Sequence, residues 1–121
     1  MASFTLKKHE RLKSKKLIDE LFTSGKSSFL YPIKLIYLEL ENLDAPLKMT
    51  VSVPKRHFKS AVDRNLIKRR LREAYRQNKT ALESRLTESG RQLVLMLIFV
   101  GKEEENYLKI ETSVKKLLAR L

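Results

Sequence analysis

The chain has 121 residues, 42% of them hydrophobic, and no cysteine; that length suits one domain with a real core, and the missing thiols exclude disulfides, thiolate zinc sites and cysteine nucleophiles. Lysine and arginine number 26 against 14 aspartate and glutamate, a formal net charge of +12 that opposes compaction and favours polyanionic partners. The longest strongly apolar run, Leu93 to Val100, is far short of the ~20 residues a membrane helix needs, and Met1 to Glu10 lacks the apolar stretch of a secretory signal, so a soluble, cytoplasmic protein without membrane partners is expected.

Ser14 to Ser24 is expected to form a short helix, since Leu17, Ile18, Leu21 and Phe22 recur at helical spacing and Gly25 stands where a C-terminal cap belongs. Ile33 to Leu40 alternates Ile33, Leu35 and Tyr37 against Lys34, Ile36 and Leu38, a strand pattern. Turn residues fill 42–46. Lys48 to Val53 then alternates Met49, Val51 and Val53 against Lys48, Thr50 and Ser52, as a half-buried strand does. These two runs are expected to pair as an antiparallel hairpin. Pro54 stops the second, and Ser60-Ala61-Val62-Asp63 has the form of a capping box, so a long basic helix should follow to about Lys79. Thr80 to Arg91 either extends that helix or forms a loop, with Gly90 ending it. Leu93 to Val100 is an unbroken apolar run, typical of a central strand buried on both faces. Glu103 to Arg120 reads as an amphipathic helix, acidic in its first turn and basic near its end at Lys115, Lys116 and Arg120, as the helix dipole prefers. This order describes an α+β domain with a small sheet.

The charge is concentrated. Residues 55–79 carry ten basic and two acidic side chains, net +8, which is two-thirds of the whole excess. At about 100° per residue, Ile67, Leu71, Ala74 and Asn78 form one stripe with Tyr75 at its border, while Lys68, Arg72, Asn65, Arg76 and Arg69 share an arc of about 100° opposite. Like charges at this spacing cost ~0.2–0.5 kcal/mol per pair, so folding alone would not select them. Arginine dominates, and its planar fork suits bidentate contacts with phosphate. The arc therefore points to nucleic acid. A DNA-reading helix usually belongs to a small helical motif, whereas this one is embedded among strands, a context that favours RNA.

Nothing in the sequence assembles a protein nuclease, which would need a metal cage or a base and nucleophile set. The acidic residues, among them Asp19, Asp44 and Asp63, are scattered, and His9 and His57 are lone histidines in polar, basic stretches. Tyr31, Tyr37, Tyr75 and Tyr107 read as core or rim residues.

Val51-Ser52-Val53-Pro54-Lys55-Arg56, followed by Ala61-Val62-Asp63-Arg64-Asn65-Leu66-Ile67-Lys68-Arg69-Arg70-Leu71-Arg72-Glu73-Ala74-Tyr75, resembles the signature of the bacterial ribonuclease P protein subunit. That signature is a strand ending in a basic pair and then an Arg-Asn-Arg-x-Lys-Arg-x-x-Arg helix. Arg11-Leu12-Lys13, Phe22, Gly25, the apolar strand and the last helix extend the resemblance over nearly the whole chain. Two positions depart from it. Leu66 replaces the third residue of the Arg-Asn-Arg triplet, with Arg70 the nearby candidate to substitute, and Ile18 stands where the first helix often carries an aromatic.

The resemblance implies a single RNA-binding domain over residues 1–121. It has a roughly four-stranded sheet packed with three helices in the order α-β-β-β-α-β-α, and a left-handed βαβ crossover around the basic helix, against the general right-handed preference. It also implies the protein subunit of a ribonucleoprotein endonuclease that removes the 5′ leader from precursor transfer RNA. The chemistry belongs to the catalytic RNA, with Mg2+ bound mainly by that RNA and the substrate, and the protein contributes no catalytic or metal-ligating residue. Arg64, Asn65, Lys68, Arg69, Arg72 and Arg76 would bind the catalytic RNA. The 5′ leader would lie in a groove between the first helix and the sheet, formed by Ile18, Phe22, Ile36, Lys55 and Arg56. Phe22 is there a stacking platform or, alternatively, a core residue. A ribosomal-type RNA-packaging protein and a DNA-binding module are the competing readings; the spacing from Arg64 to Arg72 favours ribonuclease P over the former, and sequence-independent duplex DNA binding that outcompetes structured RNA would favour the latter.

Overall fold

Ser14 starts the first helix. In the computed structural model, which describes residues 10–121, its side chain accepts a hydrogen bond from the Leu17 N–H at 3.2 Å, and α1 runs Lys15–Ser24. The Gly25 N–H closes the helix on the Leu21 carbonyl at 2.9 Å. A Cβ on Gly25 would stand 2.4 Å from that oxygen and 2.8 Å from Ile36 Cγ2, so glycine is what lets the helix end so close to the sheet. The strands β1 (Lys26–Leu30), β2 (Ile33–Leu40) and β3 (Leu47–Ser52) follow. Ser60 caps α2 (Ala61–Asn78) by accepting from the Asp63 N–H. Lys79 alone separates α2 from α3 (Thr80–Ser89), and Gly90 ends α3 at φ +70°, the left-handed region that favours glycine. Then come β4 (Gln92–Phe99) and α4 (Tyr107–Ala119), the latter capped by the Asn106 side chain.

The sheet order is β1-β2-β4-β3; β1 pairs antiparallel with β2 and β2 antiparallel with β4, while β3 pairs parallel with β4. The expected hairpin between the second and third strands does not form, because β4 lies between them. Its apolar side chains on both faces need cover from both sides, which only a central position gives. The first residue of β4 also fastens the loop that spans it. Gln92 accepts from the Leu43 N–H and donates to the Leu43 carbonyl, each at 2.9 Å. Parallel pairing then requires a crossover from β3 to β4, and α2 and α3 make it.

Two further differences concern the helices. Residues 80–89 form a fourth helix, held to the core by Leu82 and Leu86. The last helix begins at Tyr107, so Glu103, Glu104 and Glu105 lie in the preceding loop and its first turn holds no acid.

One face of the sheet carries the main core. Ile33, Leu35, Met49, Val51, Leu95, Leu97 and Phe99 pack there with Ile67, Leu71 and Tyr75 of α2 and with Ile110, Val114 and Leu117 of α4. The other face holds a smaller cluster in which Leu12 and Leu21 cover Ile36, Val94 and Met96. The basic helix and α1 therefore lie on opposite faces.

Candidate nucleic-acid interface

Ile67, Leu71, Ala74 and Tyr75 are fully buried, which fixes the rotation of α2 and turns its other side to solvent. That side forms an open groove of about 910 Å³ lined by Val62, Asn65, Leu66, Arg69, Arg72, Glu73 and Arg76, with Arg11 from the N-terminal arm. Of the expected RNA-binding residues, the groove unites Asn65, Arg69, Arg72 and Arg76. Among the described residues, neither Arg69 nor Arg72 has an ion pair or a hydrogen-bonded side-chain partner. Their guanidinium groups are left to an external anion.

Arg64 and Lys68 are placed elsewhere. The Arg64 guanidinium donates from Nη1 to the carbonyls of Phe58 and Lys59, at 2.7 and 2.8 Å, and so fastens the loop before α2. Lys68 lies on the flank of α2 nearer the buried stripe and does not line the groove. The open face is centred opposite the buried residues, which brings Val62 and Leu66 into it and leaves Lys68 at its edge. Arg70, the candidate to replace the cation missing at Leu66, lies outside the groove lining and turns toward the loop before α4. There it pairs with Glu104 at 2.8 Å and donates to the Glu105 carbonyl at 2.7 Å.

The groove also contains an anion that the charge pattern understated. Glu73 accepts from Arg76 Nε at 2.9 Å and Nη2 at 2.5 Å, and from Gln77 at 2.9 Å. The hydrogen bonds from Arg76 and then Gln77 hold its carboxyl below the ordinary carboxylate range.

Arg11 is the residue that reading the basic helix alone misses. A parallel bridge joins Arg11 to Met49, and the Leu12 N–H donates to the Met49 carbonyl at 2.8 Å. Leu12 is buried between two exposed cations, Arg11 and Lys13, and this alternation was the available sequence signal. Arg11 and Arg72 also line a smaller hollow with Lys13 and Thr50 at the edge of β3, so the two cations stand where both depressions meet.

A second surface lies on the α1 side of the sheet. The arm leaves β3 at Leu12, and the chain reaches β1 at Lys26, so α1 crosses the strands. Leu21 is its buried anchor. Ser24 shares a hollow with Leu38 and Glu39, and on the helical wheel Ile18 and Phe22 occupy the opposite flank, toward the Lys34 and Ile98 end of the sheet. Phe22 is 60% exposed, which removes it from the core; Ile18 is half-buried. Ile36, expected in the groove, is covered by α1 because its row meets Leu21 and Leu12 directly. The strand register places Phe29, Lys34, Ile98 and Ser52 in the next row on this face, and Phe29 is 57% exposed. Lys55 and Arg56 are exposed in the turn beyond β3.

Among the described residues, no three histidine, aspartate or glutamate side chains come together in a way that could hold a metal ion. His9 lies outside the described residues, and His57 is half-buried in the loop before α2. Tyr75 is buried, Tyr37 and Tyr107 are half-buried, and Tyr31 is exposed with Lys109 Nζ 5.7 Å from its ring centroid. No described helix is long and apolar enough to cross a membrane.

Comparison with known proteins gives a consistent result. The family model described as Ribonuclease P matches residues 6–121. The ribonuclease P protein component of Porphyromonas gingivalis strain ATCC 33277 is 37% identical over 121 residues, covering 99% of this chain and 88% of that protein. The one from Chlorobium phaeobacteroides is 35% identical over 106 residues, covering 80% and 73%. Two solved structures share the fold. The Staphylococcus aureus RNase P protein aligns with TM-score 0.74 at 20% identity, covering 92% of this chain and 94% of that one. The Thermotoga maritima RNase P protein aligns with TM-score 0.72 at 21% identity, covering 93% and 97%.

Proposed function

The chain belongs to the ribonuclease P protein family, and from that membership we propose that its two surfaces bind two different RNAs of one ribonucleoprotein. It is the protein component of the endoribonuclease that matures the 5′ end of transfer RNA. The α2 groove binds the catalytic RNA subunit, and the α1 face holds the 5′ leader of the precursor. The observation that carries the first assignment is the pair Arg69 and Arg72, exposed beside Arg76 in one groove with no ion-pair partner among the described residues. A duplex or folded RNA presents phosphates at a spacing that such a row of guanidinium groups can meet bidentately.

The leader assignment rests on different chemistry. An unpaired strand needs an apolar platform beside a few cations. Phe22 and Phe29 are exposed aromatics on this side of the sheet, with Lys34 between Phe29 and Ile98 in the register and with Lys55 and Arg56 beyond the end of β3. Mg2+, in this reading, is held mainly by the RNA subunit and the substrate, where it supplies the Lewis acid and the activated water of phosphodiester hydrolysis. The protein's own part is binding and orientation.

The test is equilibrium binding of the full chain to the ribonuclease P RNA across a salt series. Arg69→Ala and Arg72→Ala should each weaken binding and flatten the log–log salt slope by roughly 0.7–0.9. Lys115→Ala, on the exposed side of α4, should do much less. Equal losses at all three positions would mean diffuse attraction rather than a site.

A further inference from the structure

Arg11 reaches the α2 groove from a different part of the chain, and both of its neighbours are fastened. Leu12, on one side, is 4% exposed and bonded through its N–H to β3. Glu10, on the other side, is 5% exposed and makes a buried ion pair with Lys79, itself 1% exposed. Lys79 is the single residue between α2 and α3. The pair therefore ties the arm to the end of the helix whose side forms the groove.

We infer that the Glu10–Lys79 ion pair is a positioning device that holds Arg11 at the groove, and that Arg11 is a further contact for the catalytic RNA. This rests on the α2 groove being the RNA site. Two observations support it. The groove lacks a cation where Leu66 replaces the arginine of the motif, and Arg11 brings one to the same lining. Burying two charges is costly, and well-packed apolar side chains would hold the arm at least as firmly, so a purely structural tie has no need of the pair. A cation whose flanking residues are both fixed loses little conformational freedom when it meets a phosphate.

Binding of the full chain to the ribonuclease P RNA over a salt series, beside thermal melts, tests both parts. Arg11→Ala should weaken binding several-fold and flatten the slope by roughly 0.7–0.9, and Arg11→Lys should restore most of that slope. Arg11 is exposed, so these variants fold whatever the ion pair does. The double change Glu10→Leu with Lys79→Met substitutes apolar side chains for the pair. It should fold, bind with the flattened slope, and gain no further loss when Arg11→Ala is added. If the double variant does not fold, Glu10→Gln is read in the same way. A wild-type slope in the folded pair variant, with Arg11→Ala still costing its full amount, overturns the positioning role. Wild-type affinity and slope in Arg11→Ala overturn the contact. If Arg69→Ala is also silent, it is the assignment of the groove that fails, a separate result.

Discussion

Glu73 lies among the arginines of the α2 groove and takes two hydrogen bonds from Arg76. Because those bonds hold its pKa below the ordinary value, it stays anionic at neutral pH and opposes a polyanion there. Glu73→Gln should therefore strengthen binding of the catalytic RNA by roughly 0.2–1 kcal/mol, the range of an exposed charge pair, as read by equilibrium binding at fixed salt. The linkage has the opposite sense for stability. A depressed carboxylate pKa stabilises the fold above its unfolded pKa, and that contribution is lost as pH falls through the folded value. Glu73→Gln should accordingly lower the melting temperature slightly at pH 7 and leave it nearer the wild type in acid. On the other surface, Phe22 is largely exposed while Leu21 beside it is fully buried. Phe22→Ala should change stability by no more than ~0.5 kcal/mol while reducing the preference for precursor over mature transfer RNA by ~1–3 kcal/mol. Leu21→Ala should instead cost ~2–5 kcal/mol of stability. A melt beside paired binding assays separates the two residues, and unchanged discrimination in Phe22→Ala would remove it from the leader surface.

The elements were legible where a short sequence window determines them. The stripe Ile67, Leu71, Ala74 and Tyr75 is a helical period, and all four residues are buried as that period requires. The apolar run of β4 marked the central strand for the same reason. Strand pairing was not legible, because alternation reports which face a residue takes and not which strand lies beside it. β4 enters between β2 and β3 from more than forty residues away in sequence, and the Gln92 bonds to Leu43 that fix the intervening loop have no local signature. The residues gave no strand at β1 because Lys26, Ser27 and Ser28 are polar and the strand lies at an edge. α3 stayed ambiguous because only Leu82 and Leu86 bury against the core. In the candidate site, the motif located Arg69 and Arg72 but could not show that Arg64 and Arg70 are engaged elsewhere. Lys79 marked only the expected end of the basic helix, and its pairing with Glu10 has no local signature because the two lie 69 positions apart. The end of α3 allows a clean test of backbone strain. Gly90 has φ +70°, and a Cβ there would meet nothing within 4 Å. Gly90→Ala should thus cost ~1–2 kcal/mol from the left-handed backbone alone, measured by denaturant unfolding.

At the scale of the molecule, a four-stranded sheet separates two surfaces of different chemistry. One face supports α2, with a groove rich in arginine; the other supports α1, with exposed aromatics and scattered lysines. The hollows that share Arg11 and Arg72 adjoin across the β3 edge, so RNA on the α2 side and a strand on the α1 side can be held by one rigid body. Most of the net charge of +12 lies in the segment that forms the groove and the loop before it. In the proposed function such a protein would lower the electrostatic cost of bringing two RNAs together, and the benefit should be largest where divalent cations are scarce. The most direct measurement is cleavage of precursor transfer RNA at low Mg2+ by the RNA subunit alone, by the protein freed of all RNA, and by the two combined. The combination should release the mature 5′ end, with little product from the RNA subunit alone and none from the protein. Specific cleavage by the RNA-free protein, or a combination no better than the RNA subunit alone, would contradict the assignment of this chain as a binding subunit.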